Sequence, residues 1–153
     1  MVVRWYNIPV IIEVANEQET KNIAEAIGRS LIGGEVIELI GDVGAGKTTF
    51  TKGLARGLGV QDEVQSPSFT ISRVYDARDG LLVSHYDFYR LTDAGIMKNE
   101  LIEASQDDKM ITVIEWADIV ESVLPEKRLT IRFEATSESG RIITIPDTLK
   151  ELI

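Results

Sequence analysis

Apolar residues recur along this chain with two periods, one suited to helices and one to strands, and the changes of period mark its elements. Residues 8–14 are β-branched and apolar and predict a strand, placed at a sheet edge because Pro9 cannot donate to a ladder. Ile23, Ala26, Ile27, Ser30 and Leu31 then fall at helical spacing. They predict a helix from the N-cap Asn16, with Glu19 as its capping-box partner, to about Ile32, where Gly33 and Gly34 end it. Residues 35–40 are an apolar strand, and residues 48–58 form the next helix, with Gly59 as its C-terminal cap.

Two strand-like runs, 70–75 and 81–86, flank a Gly-containing turn at 76–80 and predict an antiparallel hairpin. Residues 92–108 read as mostly helical with a break near Gly95, and 110–114 as a buried parallel strand. Residues 117–124 predict a short helix stopped by Pro125. Residues 128–135 alternate, with Leu129, Ile131 and Phe133 on one face and Thr130, Arg132 and Glu134 on the other, as a strand with one wet face does. A turn at 137–140 leads into 141–145, a second hairpin, before a short helical tail. Repeats, low-complexity tracts and an interdomain linker are absent from the sequence, so its 153 residues read as one domain, 1–153.

Between the strand at 35–40 and the helix at 48–58 lie Gly41, Asp42, Val43, Gly44, Ala45, Gly46, Lys47, Thr48 and Thr49. This is G-x-x-x-x-G-K-[ST], the phosphate-binding P-loop. The glycines let the backbone curl with its N–H groups inward, the Lys reaches the β- and γ-phosphates, and the Thr hydroxyl ligates Mg²⁺. The following helix adds the positive end of its dipole.

Composition narrows the chemistry. Without cysteine there is no disulfide framework, thiolate zinc site or Cys nucleophile, and one histidine, His85, cannot build a His-based metal cluster. Any metal must be oxygen-ligated. The opening residues 1–7 lack a signal-peptide layout and no run is long enough to span a membrane, so a cytoplasmic address is expected. The net charge of −9 argues against gripping a nucleic-acid backbone unaided.

A P-loop site also needs an acidic group at the end of a neighbouring strand, to hold Mg²⁺ or its waters. Glu115, closing 111–114, and Asp87, closing 81–86, both qualify. Trp116 is read either as core packing or as a platform beside nucleotide or partner. His85 is read as structural, and Arg90 as pairing with a surface carboxylate in preference to phosphate. Ser66 and Ser68 sit in a hydroxyl-rich loop of the kind that can sense a γ-phosphate.

These stretches together, 41–49, Ser-Pro-Ser-Phe-Thr at 66–70, His-Tyr-Asp-Phe-Tyr-Arg-Leu at 85–91 and Ile-Glu-Trp at 114–116, resemble the TsaE family, the ATPase component of the bacterial machinery that makes threonylcarbamoyladenosine in tRNA. The likeness extends to 139–145; Val43 stands where Leu is usual and Ser68 where Thr is common. It implies a three-layer α/β fold of P-loop NTPase type, with a mixed sheet of parallel core and antiparallel hairpin additions. It further implies ATP and Mg²⁺ as ligands, activity dependent on Lys47, Thr48, Asp87 and Glu115, and Mg²⁺ on Thr48 and Glu115. Glu17 and Arg141 are implied at the nucleotide, with Trp116 belonging to the same motif as Glu115. The implied partners are TsaD-like and TsaB-like proteins and, through their complex, tRNA, with ATP hydrolysis resetting that complex between turnovers.

Rival classes fit less well. A GTPase needs Asn-Lys-x-Asp and a switch Asp-x-x-Gly, and neither is present. A small-molecule kinase usually carries an Arg-rich lid, whereas the arginines here are scattered. A non-catalytic, ATP-dependent scaffold uses the same binding residues and is separated only by measuring phosphate release.

Overall fold

The computed structural model describes residues 8–67 and 69–153, in which seven strands make one mixed sheet. The strands are β1 (Val10–Val14), β2 (Val36–Ile40), β3 (Ser72–Asp76), β4 (Leu82–Asp87), β5 (Met110–Glu115), β6 (Leu129–Ala135) and β7 (Arg141–Ile145), and their order is β1-β7-β6-β2-β5-β4-β3. The neighbours β6-β2, β2-β5 and β5-β4 run parallel, while β7 and β1 at one side and β3 at the other are antiparallel. The parallel core and the antiparallel additions are as expected from sequence. β2 and β5 take the centre, where nearly every side chain on both faces is buried; β1, preceded by Pro9, takes the edge.

Helices α1 (Glu17–Ser30), α2 (Lys47–Gly57) and α3 (Met97–Gln106) complete three layers. One cluster packs α1 and α2 against Ile37, Leu39, Val83, Ile111, Val113 and Ile131. The opposite face, with Val36, Tyr86 and Ile114, packs against Leu101 and Ala104 of α3 and against Val120 in the 3₁₀ turn Ala117–Val123. Because strand side chains alternate, residues 83, 85 and 87 of β4 and 111, 113 and 115 of β5 all face the α1/α2 layer.

The α1 start follows its sequence signal: the Asn16 side chain accepts from Glu19 N at 3.0 Å, and the Glu19 carboxylate accepts from Ala15 N at 2.7 Å. α1 ends at Ser30, two residues before the expected Ile32, because Glu35 takes the Ile32 and Gly33 N–H groups at 2.8 Å each. α2 closes in a Schellman motif, Val60 N to Ala55 O at 3.0 Å and Gly59 N to Arg56 O at 3.1 Å, with Gly59 at φ +73°. The two helices touch through glycine: a Cβ on Gly57 would lie 2.2 Å from Glu25 O, and one on Gly53 2.5 Å from Lys21 O.

The helix expected over 92–108 is shorter. Asp93 Oδ1 accepts from Gly95 N at 3.0 Å and Gly95 takes φ +51°, a turn that delays α3 until Met97. The segment before Pro125 and the tail Asp147–Leu152 are 3₁₀ turns. Among the described residues no helix is long and apolar enough to cross a membrane.

Candidate functional site

Parallel strands bring their C-terminal ends to one side of a sheet, which is where open α/β folds keep their ligand crevice. Here β2 runs into the 41–46 loop and then α2, while β4 and β5 end on Asp87 and Glu115, direct partners in the parallel register. Both carboxylates are buried and face the loop. The loop turns on Gly44 at φ +79° and Gly46 at φ +109°, conformations that a side chain would strain. Gly46 is the N-cap of α2, so the positive end of that helix opens at the loop.

Lys47, the first residue of α2, is 6% exposed. Its ammonium donates to the carbonyls of Gly41 and, at 3.1 Å, of Asp42, and it lies 4.4 Å from the centroid of the Trp116 ring. Burial holds it below its ordinary 10.5; Glu115, Asp87 and Asp42 oppose that shift without cancelling it. Trp116 follows β5 in the left-handed region, φ +56°, an uncommon place for a bulky residue and costing on the order of 1–3 kcal/mol. That backbone aims the indole between Lys47 and Tyr89, whose ring centroid is 4.7 Å away.

The two carboxylates are held differently. Asp87 accepts from Tyr89 N at 2.9 Å through one oxygen and from the Ser66 hydroxyl at 3.2 Å through the other. Glu115 Oε2 lies 2.7 Å from His85 Nε2, in a pair with both members buried.

Around these groups lies a cleft of about 990 Å³. Its floor is Asp42, Val43, Gly44, Gly46, Lys47, Thr48 and Thr49, and one wall is Ser66, Asp87, Tyr89, Arg90, Glu115 and Trp116. Glu17 with its neighbours Asn16, Gln18, Thr20 and Lys21 forms a second wall, and Arg141 with Glu138 and Ser139 a third. Arg141 also clamps the loop, donating to Gly44 O at 3.0 Å and to the carbonyls of Ser137, Glu138 and Gly140.

Most residues singled out from sequence therefore meet in one place. Gly41 and Ala45 do not line the cleft: Gly41 supplies a carbonyl to Lys47, and Ala45 packs in the core. Ser68 lies outside the described residues. Arg90 stacks over the Phe69 ring at 4.4 Å and lines the cleft, instead of pairing with a carboxylate among the described residues. Sequence reading missed Gln18, Thr20, Lys21, Tyr89, Glu138 and Ser139, and took Asn16 only as a helix cap. Thr20 and Lys21 follow Glu17 by one helical turn, a spacing that places them on its face.

The donor set suits a hard cation. Thr48 offers a hydroxyl and Glu115 a carboxylate, and among the described residues no group of three or more His, Cys, Asp or Glu is placed to hold a metal alone. Mg²⁺ would need phosphate and water oxygens for its remaining positions, as it commonly does.

Residues 14–143 match the family model described as "Threonylcarbamoyl adenosine biosynthesis protein TsaE". A protein of Bacillus subtilis named tRNA threonylcarbamoyladenosine biosynthesis protein TsaE is 40% identical, over 84% of this chain and 80% of its own. One of the same name from Treponema pallidum is 39% identical over 84% and 93%. Among solved structures, the crystal structure of Bacillus subtilis YdiB superposes with a TM-score of 0.74 at 33% identity, covering 97% of this chain and 94% of that one.

Proposed function

The chain belongs to the TsaE family, and from that premise we propose that it binds and hydrolyses ATP in the described cleft, in service of threonylcarbamoyladenosine formation in tRNA. The observation that carries this reading is the meeting of Lys47, Asp87 and Glu115 at the mouth of a P-loop, on strand ends paired in register. Nucleotide phosphates would draw the Lys47 ammonium off the Gly41 and Asp42 carbonyls, exchanging two neutral acceptors for anionic ones. The loop N–H groups and the α2 N-terminus add to that grip.

Mg²⁺, held by Thr48 and Glu115 together with phosphate oxygens, would supply positive charge against the developing negative charge of the leaving group. Asp87, fixed by Tyr89 N and Ser66, orients the attacking water. The water oxygen bonds to the γ-phosphorus as the bond to the β–γ bridging oxygen breaks, giving ADP and phosphate. Glu17 and Arg141 contact the nucleotide from the two outer walls, and Trp116 with Tyr89 gives it an aromatic flank.

With a net charge of −9, the chain has no need to hold tRNA itself if it acts on partners that do. Those partners are TsaD-like and TsaB-like proteins, and hydrolysis resets their complex between turnovers. Reconstitution tests this: threonylcarbamoyl transfer to tRNA over many turnovers should require both ATP and this chain. Undiminished multiple turnover without it overturns the proposal.

A further inference from the structure

His85 does not itself line the cleft, yet it is the one side chain hydrogen-bonded to the Glu115 carboxylate among the described residues. It is completely buried and Glu115 nearly so, with 2.7 Å between Nε2 and Oε2. The sheet register makes this contact. His85 pairs with Val113 and Asp87 with Glu115, so the imidazole and Glu115 sit on one face as diagonal neighbours. Its other ring nitrogen, Nδ1, has no hydrogen-bond partner among the described residues. Burying a polar ring that is satisfied at one nitrogen only costs free energy, so the retained Nε2 contact calls for an explanation.

We propose that His85 is a positioning residue: it donates Nε2–H to Glu115 Oε2, fixes the carboxylate rotamer, and leaves Oε1 as the oxygen presented to a divalent cation. The inference rests on the ATP and Mg²⁺ reading of the cleft. Without the donor, Glu115 is one buried carboxylate on a flexible stem, free to turn toward Lys47, whose charge already acts on it. The partner that orients a metal ligand typically governs metal affinity by 10- to 100-fold. β4 thus contributes twice to the site, Asp87 toward the substrate and His85 toward the ligand beside it.

The test uses the untagged chain, in which His85 is the only histidine. Ring ¹⁵N chemical shifts should place the proton on Nε2; a proton on Nδ1 alone overturns the proposal. Calorimetric titration of Mg²⁺ into the ATP-bound protein should then show affinity at least about tenfold weaker in His85→Phe. ATP affinity without Mg²⁺ should stay within about twofold of wild type. His85→Gln, whose amide can donate from nearly the same position, should recover most of the loss. Equal Mg²⁺ affinity in a folded His85→Phe protein overturns the positioning role and leaves the ATPase reading standing. A wild-type chain that binds ATP with no response to Mg²⁺ removes both. If His85→Phe does not fold, His85→Gln against His85→Asn, whose shorter amide falls short of Glu115, makes the same comparison: equal Mg²⁺ affinity overturns the role, and weaker affinity in the Asn variant supports it.

Discussion

The Lys47 ammonium sits 4.4 Å from the centroid of the Trp116 ring while donating to two carbonyls of its own loop. The cation expected to grip phosphate is thus held by the loop backbone and an aromatic face, both of which it can exchange for an anion. Cation–π contacts of this kind contribute about 0.5–2 kcal/mol, small beside charge-assisted bonds to phosphate.

That arrangement makes Trp116 a reporter. In a chain with Trp5 replaced by Phe, Trp116 emission should change on addition of ATP, and Lys47→Ala should alter it without nucleotide. Emission indifferent to both would remove the coupling between ring and ammonium.

Arg141 ties the turn between β6 and β7 to the P-loop through Gly44 O, 97 residues away in the chain. Arg141→Ala should weaken ATP binding by roughly tenfold, the scale of one hydrogen bond from a charged donor. Arg141→Lys should not restore it, since an ammonium cannot reproduce a fork that spans several carbonyls. Calorimetry on the three proteins decides; wild-type affinity in Arg141→Ala would show that the clamp is dispensable.

The α1/α2 contact admits no side chain at Gly57, where a Cβ would lie 2.2 Å from Glu25 O. Gly57→Ala should cost about 1–3 kcal/mol by overpacking, despite the higher helix propensity of Ala. At about 2–4 °C per kcal/mol for a chain of this size, the melting temperature of the nucleotide-free protein should fall by several degrees. An unchanged melting temperature would mean that the helices separate without penalty.

Burial, helped by Glu100 and Glu103, raises the Tyr86 phenol above its ordinary 10.0. The folded protein therefore keeps a proton that the unfolded chain gives up as pH climbs past 10, and stability falls with rising pH in that range. Urea melts between pH 9 and 11 should show this decline shallower in Tyr86→Phe. Parallel declines would contradict the assignment.

Much of this was legible in the sequence because the informative features are local. The P-loop states its own backbone, Asn16 with Glu19 states a helix start, and the apolar runs ending at Asp87 and Glu115 mark buried strands whose last residues reach the crevice. What was not legible arises from register and from competing local bonds. That His85 meets Glu115 follows from how β4 pairs with β5, which no periodicity encodes. Arg141 reaching Gly44 depends on the turn that brings β7 beside β6. The late start of α3 reflects the Asp93–Gly95 turn outcompeting helix, and Trp116 departs from ordinary backbone where the site needs it.

The central claim, that ATP is hydrolysed in the cleft between Lys47 and Glu115, is tested most directly by phosphate release from the chain assembled with TsaD-like and TsaB-like partners. Wild type should release phosphate in multiple turnovers, Lys47→Ala should lose both hydrolysis and most ATP affinity, and Glu115→Ala should lose hydrolysis while still binding ATP. Phosphate release by Lys47→Ala at the wild-type rate, or none by the wild-type assembly, would contradict it.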